Sequence, residues 1–241
     1  MYFDKKYLYI AMAIMIIWGL SGYLNNTASL INLLLTIPGV LIAITFHEFA
    51  HAFAADKLGD DTPRTEGRLS LNPFDHLDPV GSVMLLFAGF GWGKPVQVNP
   101  RNFNRDISVD KANAIVSIAG PMMNFLLAIV FAFIYGALYK FLGIKIITSQ
   151  ILKIIMIIIA YTISINIGLG VFNLIPLPPL DGSKVIKPLL PYNAKVWFEN
   201  NENIFYIIFI VLWITGLAGN IISPVINIVS NLITNLVGIF F

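Results

Sequence analysis

Residues 45–53 read TFHEFAHAF. His47 and His51 are four positions apart, and on a helix such positions share one face, so their imidazoles converge. Two convergent imidazoles suit zinc. Glu48 lies beside that face, where its carboxylate can take a proton from water at the metal. The chemistry implied is metal-assisted hydrolysis. The blander reading is two interior histidines bonded to backbone, with Glu48 as a buried partner. A glutamate in an apolar helix is costly without a compensating role, and Leu30–Phe46 holds no ionisable group at all.

A catalytic zinc takes three protein ligands and leaves one position open. The chain has three histidines and no cysteine, so the third ligand is His76 or a carboxylate. Asp181 stands in NLIPLPPLDG, residues 173–182. Pro176, Pro178 and Pro179 cannot sustain a regular helix, so the backbone opens there. Asp181, followed by Gly182, can turn back toward the helices. Equally, it can cap a helix over Ser183–Leu190. On the residues alone both readings stand.

The elements that position these groups are apolar. Of 241 residues, 57% are hydrophobic and 12% charged, against roughly 25% charged in soluble domains. The class is a polytopic membrane protein. The absence of cysteine excludes disulfides and thiolate metal sites, and a net charge of +2 gives no argument for nucleic acid. Six apolar segments are expected: Tyr7 to Leu20 or Tyr23, Ala28–Ala55, Ala112–Phe141, Ile146–Phe172, Ile204–Ile221 and Pro224–Phe241. No small-residue cleavage site marks the first as a removable signal. Residues 56–111 are rich in Gly, Pro, Asn, Asp and Arg. There Arg68–Leu71 and Pro95–Val98 read as short strands, so a small membrane-associated β-sheet or re-entrant segment is expected between the second and third helices. Lysines and arginines concentrate before the first segment, in 56–111 and in 181–203. That places the N-terminus and the opening of the site on the cytoplasmic side.

Four stretches in one order carry a resemblance. HEFAH is followed by GRLSLNPFDHLDP at 67–79, AGPMMN at 119–124 and LDG at 180–182. The chain resembles the site-2 protease family of intramembrane zinc metalloproteases, in its compact form without PDZ or CBS domains. The likeness covers residues 40 to about 187. It implies one Zn2+ held by His47, His51 and Asp181, with Glu48 as the catalytic base and His76 in a surface segment. It implies one transmembrane metalloprotease domain with a core of about 28–190, and a bilayer of the cell membrane as its setting. The partners implied are transmembrane-helix substrates, cut in regulated intramembrane proteolysis.

Asn124 is a second catalytic candidate, because its amide can bond a substrate carbonyl or oxyanion. It can equally tie helices together. Asn173 can bond open backbone at the proline-rich break or contact substrate. A substrate unwound for cleavage needs new backbone partners, which an edge at Val96–Val98 or Leu69–Leu71 would supply. The last two segments, with Gly216, Gly219 and Pro224 between them, are a candidate lateral gate. The rival functions are a metal-handling membrane protein and a relative that binds helices without cutting them. Retention of Glu48 argues against the second.

Overall fold

In the computed structural model, residues 26–82 and 93–241 are described. The expected segment at residues 7–23 and the apolar run at residues 83–87 lie outside them. Helix α1 (Thr27–Lys57) begins at Asn26, whose side chain accepts from Ser29 N at 3.2 Å. That bond satisfies one of the donors every helix start leaves open. A short α2 (Thr62–Thr65) follows. Helix α3 (Val109–Thr148) is kinked at Gly143, and α4 (Gln150–Asn173) starts from a cap in which Ser149 accepts from Leu152 N. Beyond the proline-rich break come α5 (Gly182–Ile186), α6 (Tyr192–Asn200), α7 (Glu202–Ile214) and α8 (Leu217–Gly238).

Among the described residues, α1, α3, α4 and α8 are long and apolar enough to cross a membrane. The expected fifth span over Ile204–Ile221 does not form. Gly216 adopts φ 72° and turns the chain, leaving α7 with 13 residues. At 1.5 Å per residue that is about 20 Å, short of a hydrocarbon layer of about 30 Å.

The expected β-sheet is also overturned: the described residues hold no strand, only an isolated antiparallel bridge between Leu77 and Gly93. Side chains satisfy the backbone that a ladder would have used. The Arg68 guanidinium donates to the carbonyls of Asp75 and Lys94, and His76 Nε2 bonds Ser70 O at 2.6 Å. Pro95 has no N–H to give a ladder, while Pro73 and Pro100 open 3-10 turns. Helices with irregular connections are what remains, so the architecture is all-α.

Helices α1, α3 and α4 pack on one another, and α8 leans on α3 and α4. Small residues let them approach. A Cβ on Gly39 of α1 would stand 3.0 Å from the Thr162 backbone of α4. One buried cluster joins α3, α4 and α8 through Ala128, Ala132, Ile167, Val171, Ile233 and Val237. A second, at the other end, gathers Ala55, Phe103, Ala112 and Val116. Large apolar side chains such as Leu34, Ile134, Ile154 and Val225 point outward, as a lipid-facing surface requires.

Candidate metal centre

The end of α1, the start of α3 and the chain leaving α4 meet at one end of the bundle. His47 is ten residues from the end of α1, about 15 Å along the axis. Its ring and that of His51 are both buried. His47 Nε2 and His51 Nε2 stand 3.0 Å apart, and Asp181 Oδ2 is 3.2 Å from the first and 3.1 Å from the second. Three ligand atoms thus form a nearly equilateral triangle. Tetrahedral zinc, with bonds of about 2.0–2.1 Å, needs ligand atoms about 3.3 Å apart, so the triangle fits it.

The outer nitrogens decide the protonation pattern. His47 Nδ1 donates to Asn124 Oδ1 at 2.6 Å, and His51 Nδ1 donates to Val116 O at 2.7 Å. With both Nδ1 protons turned outward, each Nε2 presents a lone pair to the shared point. Two lone pairs and a carboxylate oxygen repel one another unless a cation lies between them. The donor set therefore calls for a metal.

Asp181 arrives because the chain reverses after α4. Its side chain makes no capping bond to α5 and lies instead beside the two imidazoles. Gly182 makes the reversal sterically possible. A Cβ there would come within 2.3 Å of Leu174 O and 2.5 Å of Ile175 O.

Glu48 stands apart from the triangle and half-buried, its Oε1 3.2 Å from where a Cβ on Gly93 would lie. Asn124 is fully buried: beyond its bond to His47, its amide donates to Ala43 O at 3.1 Å and to Asn166 Oδ1 at 2.9 Å. Both amide protons are spent, so none is left for a substrate carbonyl. Asn173 donates to Leu169 O in its own helix. His76 joins the surface segment, not the metal triangle.

The sequence assigns no role to two site residues: Gly120, within the AGPMMN stretch, and Asn166, which no motif marks. A Cβ on Gly120 would sit 2.4 Å from His51 Nε2 and 2.7 Å from His47 Cε1, so α3 can lie against the imidazoles only if position 120 is bare. Asn166 of α4 meets Asn124 in the interior, and the available signal was an amide one helical turn after Thr162 in an otherwise apolar run.

Val96 and Val98 line a cavity of about 400 Å³, together with Val116, Ser117 and Lys184. Residues 94–99 are irregular, and the backbone of 96–98 makes no hydrogen bond to any described residue.

The model of peptidase family M50 matches residues 35–216. YwhC of Bacillus subtilis (strain 168), which bears a zinc-metalloprotease name, is 38% identical over 185 residues, covering 77% of this chain and 82% of its own. Rip2 of Mycolicibacterium smegmatis, named likewise, is 29% identical, covering 76% and 67%. MJ0611 of Methanocaldococcus jannaschii is 25% identical over 194 residues, covering 77% and 84%. No solved structure matches.

Proposed function

The chain belongs to peptidase family M50, the site-2 protease family, and is an intramembrane zinc metalloprotease; on that premise we propose that it cuts transmembrane segments of other membrane proteins as a step of regulated proteolysis. The observation that carries this reading is the triangle of His47, His51 and Asp181, with both Nδ1 protons committed outward. His47, His51 and Asp181 would hold the zinc, which would supply Lewis acidity to the scissile carbonyl and to water. Glu48, adjacent but not a ligand, takes the proton of the attacking water. It then returns that proton to the leaving amide nitrogen, so its charge is restored when the C–N bond breaks.

A helical substrate must unwind before its carbonyl is accessible. The main chain at Val96 and Val98, unpaired among the described residues and beside a cavity whose wall includes Val116, supports binding of an extended peptide there. This is an irregular stretch, not the edge of a sheet. Asn173 lies where the chain leaves α4 for Asp181, and its amide is the further substrate contact on this reading. The lysines and arginines of 56–111 and 181–203 support an orientation with this end toward the cytoplasm. Lateral access falls to α7 and the Gly216 turn, since the second half of α8 is anchored through Ile233 and Val237.

The test uses purified protein, a single-span substrate and a chelator control. Glu48→Gln is expected to hold one zinc per chain and to leave the substrate intact. Cleavage by that variant at the wild-type rate, or cleavage insensitive to chelation, would overturn the assignment.

A further inference from the structure

Asn166 lies in the middle of α4, fully buried, with no motif to mark it. Its amide donates to Thr162 O at 2.8 Å, and its Oδ1 accepts from Asn124 Nδ2 at 2.9 Å. Asn124 Oδ1 in turn accepts from His47 Nδ1 at 2.6 Å. These bonds form a relay with one direction. The far end is a main-chain carbonyl, which can only accept, so Asn166 must turn its nitrogen toward Thr162 and its oxygen toward Asn124. Asn124 must then turn its nitrogen toward Asn166 and its oxygen toward His47. The oxygen leaves His47 Nδ1 no option but to donate, and Nε2 keeps its lone pair for the metal.

The second acceptor of Asn124, Ala43 O, stands four residues before His47 in α1 and is the natural partner of the His47 main-chain N–H. Ala43 O has two lone pairs, so it too orients the Asn124 amide, from α1; Asn166 supplies the other acceptor, and it is the group through which α4 reaches a ligand carried by α1.

We propose that Asn166 is a positioning residue of the metal centre: through Asn124 it fixes the tautomer and ring orientation of His47, so that α4 supports two ligands, Asp181 along the chain and His47 across the bundle. The inference rests on the metal-centre reading above.

The test measures zinc affinity, by competition with a chromophoric chelator, on purified full-length protein in detergent. Thermal unfolding of the metal-free protein is followed in parallel. Asn166→Leu removes the acceptor at nearly constant volume and is expected to weaken zinc binding about 10- to 100-fold. Asn166→Asp keeps an oxygen facing Asn124 whether or not it is protonated, and is expected to stay within a few-fold of the parent. Wild-type affinity in the leucine variant, or equal loss in both variants, overturns the proposal. If the leucine variant does not fold, Asn166→Ser, which is too short to reach Asn124, takes its place with the same expectation. Failure of the wild-type chain to bind zinc at all would sink the metal-centre reading instead.

Discussion

The protein buries histidine in two ways. His76, in the surface segment, has no exposed surface, and the α1 pair is nearly as enclosed. Each ring uses one nitrogen on an oxygen: His76 on Ser70 O, His47 on Asn124 Oδ1, His51 on Val116 O. The other nitrogen separates them. In α1 the second nitrogens converge within 3.0 Å on a point shared with Asp181. In His76 the second nitrogen, Nδ1, has no partner among the described residues. Burial and one good hydrogen bond therefore describe a strut as well as a ligand. What makes a ligand is that the fold aims the remaining lone pair at a place where others are aimed too.

The sharpest way to break this comparison is to delete a ring from each place. His51→Ala removes one corner of the triangle and should abolish both zinc retention and proteolysis. Metal content and cleavage assayed on the same sample check it, and a variant that keeps stoichiometric zinc would show the pair to be struts as well. Next in size is Gly120→Ala. Its new methyl would stand 2.4 Å from His51 Nε2, so a ring must move out of line. A loss of activity of about 10- to 100-fold is expected, carried mainly by weaker zinc binding. His76→Phe is gentler still. It should leave zinc in place and lower stability by about 1 kcal/mol, because the part-buried Ser70 O loses its donor. Zinc loss on that substitution would erase the distinction between the two kinds of histidine.

The same contrast governs what the sequence reveals. His47, Glu48 and His51 are legible because one helix fixes their geometry, and four-residue spacing needs no knowledge of the rest of the fold. Asp181 is legible only as an alternative. Whether it caps α5 or faces the histidines depends on a chain reversal whose tightness is set by contacts of Gly182 with Leu174 and Ile175. Gly120 and Asn166 act across helices. Nothing local to either residue says that an imidazole or another amide will stand opposite. The span over Ile204–Ile221 looks continuous because composition does not register the backbone turn at Gly216. In the surface segment, alternation around Leu69 and Val96 suggests strands. Alternation cannot show that Arg68 and His76 will take up the carbonyls that pairing needs.

Asp60 carries the smallest effect and tests the strut side of the comparison by pH. It is fully buried between α1 and α2 and accepts four bonds: from Thr62 N at 3.1 Å, Thr62 Oγ1 at 2.6 Å, Asn99 N at 2.7 Å and Asn102 Nδ2 at 3.0 Å. Burial alone would raise its pKa, but the donors from Thr62, Asn99 and Asn102 outweigh it and hold the carboxyl below its ordinary value. A group depressed on folding stabilises the fold fully above its unfolded value of about 3.9, and that stabilisation fades as pH falls through the folded value. Asp60→Asn should therefore cost about 1 kcal/mol at neutral pH, where the ionised acceptor is lost. The gap between variant and parent should narrow below about pH 4. Unfolding midpoints measured across that range decide it. A gap independent of pH would mean that the carboxylate's charge contributes nothing to tying residues 58–62 to 99–102. Zinc content should stay at the parental level throughout the neutral range, because nothing in this strut points at the metal.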